Sequence, residues 1–304
     1  TDKGGRLMVP ENLINDVFHY VEVNGGLGRG CSTGVDGLFA FGNTAKTEFS
    51  GAIYDPMMCL VLQGAKEAYV GGRVLRYGAG DTLIVSHAVP LESAVIQATP
   101  EQPYVALVLR LDLALARSLY DEIDGIGETE SDTYALNVAA SDAALSDAVA
   151  RLFRMSQDPT EARALAPLVL KEIHFRLLRA RHGGMLRQLL RHDGPANRIS
   201  KSIAIIRSNF KNTLSVAKLA TESGMSLSAF HEHFKSVTAT TPLQYQKELR
   251  LLEAQRLLLS GNATVASAAF DVGYESPTQF SREFSRKFGL SPNDQKSAGV
   301  LISG

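Results

Sequence analysis

Two groups of polar side chains, about fifty positions apart, have the types and spacing for directional chemistry. Ser228, His231, Glu232 and Lys235 form the first; Thr278, Gln279, Ser281, Arg282 and Arg286 form the second. On helices, steps of three and four residues bring side chains to one face. Hydroxyls, an imidazole, an amide, guanidinium groups and an ammonium group suit hydrogen bonding to polar edges and neutralisation of anionic oxygens. A third pair, Arg187 and Arg191, has the same i, i+4 spacing and could grip a phosphate-bearing small molecule, such as a nucleotide messenger.

The elements that must position the first two groups are copies of one another. Val216, Ala217, Ala220 and Gly224 recur 49 positions later, and Phe230, Phe234 and Pro242 recur 50 positions later. An internal repeat at fixed offset is to be read before any local feature. Ser215 and Thr264 stand where an N-cap is wanted, before short alanine-rich helices. Gly224 and Gly273 supply the left-handed residue that ends each of them. Ser226 or Ser276 then opens a second helix, with Pro277 at the first helical position of the second copy. Phenylalanines at 230/234 and 280/284/288 anchor one face inward and leave the polar groups outside. Each copy thus has the grammar of a helix-turn-helix, whose second helix fits a major groove. Between the copies, Pro242–Leu259 reads as a strong helix, able to hold two such helices about one DNA turn apart.

Charge divides along the chain. Residues 196–304 carry 13 Lys and Arg against 8 Asp and Glu, whereas the remainder carries 18 against 24. The net charge of −1 therefore conceals a basic C-terminal part, as binding through phosphate neutralisation requires. Length suggests two domains and composition allows both a proper core: 45% of the 304 residues are hydrophobic and 21% charged. There is no run of 18 apolar residues for a membrane span. The start, Thr1 to Arg6, lacks a signal-peptide hydrophobic region, and Cys31 and Cys59 lack metal-type spacing. A cytoplasmic protein with reduced thiols is expected.

From Asn43 to Asp112 the chain reads as short strands, with Gly71-Gly72 as a two-residue hairpin turn. Many short strands at this spacing suggest a small antiparallel barrel or jelly roll. Beyond an acidic stretch at Asp121–Asp132, Ser141 is expected to cap a helix stopped by Asp158-Pro159, and a second helix is expected from Leu168. Two apolar-faced helices there could form a dimer interface or cover the barrel.

The runs Gly224–Lys235, Thr241–Leu251, Gly273–Phe284 and Phe288–Pro292 closely resemble the AraC/XylS transcriptional regulators. The segments Tyr54–Gly64 and Gly72–Asp81 resemble the cupin-like N-terminal domain of one subgroup. The resemblance implies an α+β protein: a cupin-like antiparallel β-barrel over residues 1–120, a helical dimerisation or linker region over 121–195, and an all-α domain over 196–304 with two helix-turn-helix motifs joined by a long helix. It implies that Ser228, His231, Glu232, Thr278, Gln279 and Arg282 touch base edges. Glu232 departs from the pattern, standing where relatives often carry a basic residue.

Metal-binding cupins need several histidines and a glutamate, and only His87 and Glu92 could converge here, too few for a facial triad. No cofactor or enzymatic metal site is therefore expected. The barrel reads instead as an effector pocket, with Tyr54, Tyr69, Arg73, Arg76, His87 and Glu92 as candidate polar groups. The expected function is a sequence-specific, DNA-binding transcriptional regulator, an activator controlled by a small-molecule effector. Double-stranded DNA and RNA polymerase are its implied partners, and the protein is expected to be a homodimer. The alternatives are a metal-dependent cupin enzyme with a DNA-binding tail, and a ligand-independent repressor.

Overall fold

The computed structural model describes residues 9–123, 134–261 and 263–302, with side chains described as far as residue 297. Most of the acidic stretch at 121–132 falls outside the described residues. The chain divides into two compact units: Thr1–Asn197 with Val237–Ala239, and Arg198–Ser236 with Thr240–Gly304. Among the described residues no helix is long and apolar enough to cross a membrane.

The first unit opens with helix α1 (Glu11–Val23) and continues as nine strands: β1 (Cys31–Ser32), β2 (Leu38–Asn43), β3 (Ser50–Tyr54), β4 (Met57–Gln63), β5 (Ala65–Val70), β6 (Arg73–Gly78), β7 (Asp81–Val85), β8 (Val89–Gln97) and β9 (Tyr104–Arg110). After α2 (Leu113–Glu122) the chain returns as β10 (Leu136–Ala140). The strands form two antiparallel sheets, one ordered β1-β2-β9-β4-β7-β10 and the other β3-β8-β5-β6. At the β5–β6 hairpin Val70 pairs with Arg73 across Gly71 and Gly72, whose φ values of 53° and 80° suit a type I′ turn.

Strand β4 is buried on both faces, which is why it reads as a continuous apolar run rather than an alternation. Its Met58, Leu60 and Leu62 join Leu38, Leu107 and Leu109 of the same sheet in a core that also takes Leu13, Val17 and Val21 of α1. Helices α3 (Ala143–Met155), α4 (Pro159–Arg179) and α5 (Gly184–Leu190) add Leu145, Val149, Leu152, Phe153, Ile173, Leu177 and Leu186 to that core. The apolar faces of α3 and α4 therefore turn into this shared core and pack on one another, while α1 packs directly on β2 and β9.

Three local expectations are corrected. Asp142, not Ser141, caps α3: its carboxylate accepts from the Leu145 amide at 2.7 Å, and Ser141 is buried, accepting from the Ser146 hydroxyl. Asp158-Pro159 starts a helix instead of only stopping one, because the Asp158 carboxylate accepts from the amides of Thr160 and Glu161. Consequently the expected helix start at Leu168 lies in the middle of α4, just after Pro167, which the helix contains.

The second unit is all helix: α6 (Pro195–Ser208, which begins three residues before the unit's boundary), α7 (Val216–Glu222), α8 (Leu227–Thr238), α9 (Pro242–Leu259), α10 (Val265–Asp271), α11 (Pro277–Phe288) and α12 (Pro292–Ile302). Ile199, Ile203 and Ile206 of α6 are buried, at the spacing of one helical face. Helix α9 has 18 residues, about 27 Å at 1.5 Å per residue. Tyr245 of α9 packs edge-on to Phe234 of α8, with ring centroids 5.7 Å apart. From the same helix, Leu251, Ala254 and Leu258 join Ala268, Ala269, Phe280 and Phe284 in a second cluster.

Candidate nucleic-acid interface

Each helix-turn-helix is set by the same local devices. The Ser215 and Thr264 hydroxyls accept from the amides of Lys218 and Ser267, at 3.3 and 3.0 Å, and so cap α7 and α10. Gly224 and Gly273 follow with φ of 62° and 92°, conformations that a side chain would strain. Ser226 and Ser276 then accept from Ala229 and Gln279 and start α8 and α11. Phe230 and Phe234 in one copy, Phe280 and Phe284 in the other, are wholly buried and fix which face of each helix turns outward.

The outward faces carry the predicted residues. Ser228, His231, Glu232 and Lys235 are exposed on α8, and Thr278, Gln279, Arg282 and Arg286 are exposed on α11. Ser281 differs: it is half-buried, and its hydroxyl donates back to the Pro277 carbonyl at 2.9 Å. Lys287 and Lys247 face inward instead, meeting Glu248 at 2.8 Å and Glu283 at 3.7 Å. Hence, among the described residues, the exposed cations on α11 outside ion pairs are Arg282 and Arg286, which can offer forked donors to base edges or phosphates. On α8, Lys235 and Glu232 offset one another, which makes that face nearly neutral.

The residues expected to line an effector pocket are distributed over the four-stranded sheet and the chain beyond it. Tyr69 is exposed, its ring 4.8 Å from that of Phe49. Glu92 is its register partner on β8, and Arg76 pairs with Glu67 on the same sheet. The Arg73 guanidinium lies 3.9 Å over the Tyr134 ring. His87 lies inside the unit, held by neighbouring protein groups. Its ring is buried, with Nδ1 2.9 Å from the Ser86 hydroxyl and Nε2 3.0 Å from the Ala196 carbonyl oxygen, and burial lowers its pKa to about 4. Arg187 is also held by protein groups. It is buried and donates to the carbonyls of Leu178 (2.7 Å) and Ala180 (3.0 Å) at the end of α4, whereas Arg191 is exposed.

What the sheets do bring together is a set of hydrogen-bond donors. The Tyr54 hydroxyl is 3.0 Å from that of Ser93 and accepts from the Lys66 ammonium at 3.3 Å. Lys66 also lies 5.9 Å from the centre of the Tyr104 ring. Tyr104 and Tyr77 are buried near Cys59, whose thiol burial pushes up to about 11. Burial raises both phenols as well, so they remain neutral donors. Of these, only Tyr54 was singled out from the sequence. The signal that could have found the rest is strand parity, since Lys66 and Tyr77 are direct register partners. Among the described residues no three His, Cys, Asp or Glu side chains are grouped to hold a metal ion.

Two helix-turn-helix motifs on one connecting helix, in a chain that also holds a two-sheet β unit, define the class: a duplicated helix-turn-helix protein with an N-terminal β domain. Residues 34–185 match the family profile of the AraC-type transcriptional regulator N-terminus, and residues 219–297 match a helix-turn-helix domain. The chain belongs to the AraC family of transcriptional regulators. It is 27% identical over 162 residues to the virulence regulon transcriptional activator VirF of Yersinia enterocolitica, a match covering 53% of this chain and 59% of that one. It is 26% identical over 189 residues to the thermoregulatory protein LcrF of Yersinia pestis, covering 62% and 68% respectively. The chain thus spans about three-fifths to two-thirds of the length of these relatives. Its fold is similar to that of ToxT from Vibrio cholerae, solved with an unsaturated fatty acid bound. The TM-score is 0.57 at 11% identity, over 86% of this chain and 93% of that one.

Proposed function

We propose that the protein is a sequence-specific DNA-binding transcriptional activator, controlled by a small molecule bound in its N-terminal unit and not itself an enzyme. The observation that carries this is the pair of equally built helices, α8 and α11, each anchored by two buried phenylalanines and each exposing polar side chains. A connecting helix of about 27 Å is close to the rise of one DNA turn, near 34 Å. Arg282, Gln279 and Thr278 on α11, with Ser228, His231 and Glu232 on α8, read bases; Lys235 and Arg286 meet phosphates. Recruitment of RNA polymerase, a cytoplasmic location and a homodimer are part of this reading, and a relative named as a transcriptional activator favours the first. Residues 196–304 form the DNA-binding domain in this reading, residues 1–120 the effector domain, and 121–195 the link between them.

For the effector, the cluster of Lys66, Tyr54, Ser93, Tyr77 and Tyr104 supports an anionic group, since it supplies donors and one positive charge. An apolar carboxylate is the first class to screen, because ToxT was solved with a fatty acid. Selection of bound duplexes from a random-sequence pool by the full chain tests the DNA-binding reading. A bipartite motif is expected, and failure to enrich any sequence overturns it.

A further inference from the structure

The segment leading into α7 is fastened to α9 by two side chains, and one of them also reaches the second helix-turn-helix. Gln246 donates to the carbonyls of Phe210 (2.9 Å) and Asn212 (2.7 Å). Arg250, one turn further along α9, donates from Nε to Phe210 at 2.7 Å and from Nη2 to Lys211 and Asn212 at 3.0 and 3.1 Å. Three successive carbonyls of the first motif's lead-in are therefore held by one planar fork, a geometry that a lysine ammonium, as a single point donor, does not reproduce.

The other side of the same guanidinium faces the second motif. It lies 5.8 Å from the centre of the Tyr274 ring, in the turn between α10 and α11. Tyr274 is buried, and its hydroxyl donates to Glu283 of α11 at 2.8 Å. Next to it, Gly273 approaches the Lys211 carbonyl so closely that a Cβ would stand 2.1 Å from that oxygen. The turn of the second motif thus rests on the lead-in of the first, with Arg250 between them. Among the described residues Arg250 forms no ion pair, so its donors are committed to backbone carbonyls. Its position and its bonds suit fixing geometry more than neutralising charge.

We propose that Arg250 is a positioning residue which locks the second reading helix in register with the first, and so sets the single spacing between half-sites that the protein accepts. This rests on the DNA-binding reading above. One base pair added between half-sites rotates the second by roughly 35° and moves it about 3.4 Å. A locked pair of helices cannot follow such a change, whereas an unlocked pair can.

The test uses the full chain, its R250A and R250K variants, and duplexes randomised over about 30 base pairs, roughly three helical turns. The wild type is expected to enrich two short motifs at one fixed spacing. R250A is expected to enrich the same two motifs at several spacings. On the wild-type duplex with one base pair inserted, the wild type loses about tenfold or more in affinity, the cost of roughly one misread position, and R250A loses less than about threefold. R250K, which keeps the charge without the fork, behaves like R250A and decides the matter should R250A fail to fold. If both folded variants keep the single spacing, or weaken equally on every spacing, the positioning role is overturned. If the wild type enriches nothing, the DNA-binding reading fails instead, and the two failures are distinct.

Discussion

Replacing Phe280 by alanine removes the side chain on which the orientation of α11 depends. Phe280 is fully buried, with its ring 5.3 Å from that of Tyr274 and 5.4 Å from that of Phe284. Truncating a buried phenylalanine costs about 3–5 kcal/mol, the transfer of its ring and the cavity left behind combined. The two ring pairs, at roughly 0.5–1.5 kcal/mol each, place this site towards the upper end. A domain of this size holds about 5–15 kcal/mol in total, so the variant loses a large fraction of the whole. At about 4–8 °C per kcal/mol near the midpoint, its thermal transition falls by roughly 15 °C or more. Arg286→Ala, an exposed change on the same helix, serves as the control and shifts stability by about 0.5 kcal/mol or less. Thermal and urea unfolding of the full chain, followed by circular dichroism, read both. A loss under about 1 kcal/mol for Phe280→Ala would refute the claim that this ring anchors the second reading helix.

Arg282→Ala is expected to relax base preference at one position of one half-site, at a cost of about 1–3 kcal/mol on the preferred sequence; uniform weakening on every sequence would count against base reading. Lys235→Ala is expected to lower the slope of log K against log salt by about 0.9 while leaving sequence preference unchanged, and an unaltered slope would reject a phosphate contact. For His87, burial holds the folded pKa at about 4 against roughly 6.5 when unfolded. The unfolded chain therefore binds the proton first. The stability linked to the neutral ring is fully present above about pH 6.5 and is lost as pH falls towards 4, by roughly 3 kcal/mol. His87→Gln should flatten the dependence of the urea midpoint over that window, and identical curves for the two proteins would show that another group carries it.

The second unit was legible because its signals are local. Caps, left-handed glycines and phenylalanines four apart lie within a few residues of what they specify, and the repeat states them twice. Ser281 escaped because its hydroxyl chose the Pro277 carbonyl of its own helix, an option that spacing alone does not settle. The first unit was less legible because its pairings are long-range. Strand β10 joins β7 across more than fifty positions, with Leu136 opposite Val85, and its short LNVAA run carries little pattern of its own. The candidate effector residues were chosen by type without regard to strand parity: Tyr69 and Glu92 share one face of their sheet, while Lys66, which was not among the candidates, lies on the alternate face of β5. Arg187 shows the same limit, since nothing in Arg-x-x-x-Arg reveals that the end of α4 needs donors for its carbonyls.

Protection of guanine N7 from methylation, measured on the selected duplex with the full chain bound, tests the central claim most directly. Two clusters of protected major-groove positions, about 10–10.5 base pairs apart on one face of the duplex, are predicted. A single cluster, or two on opposite faces, would contradict the account of α8 and α11 as a coupled pair of reading helices.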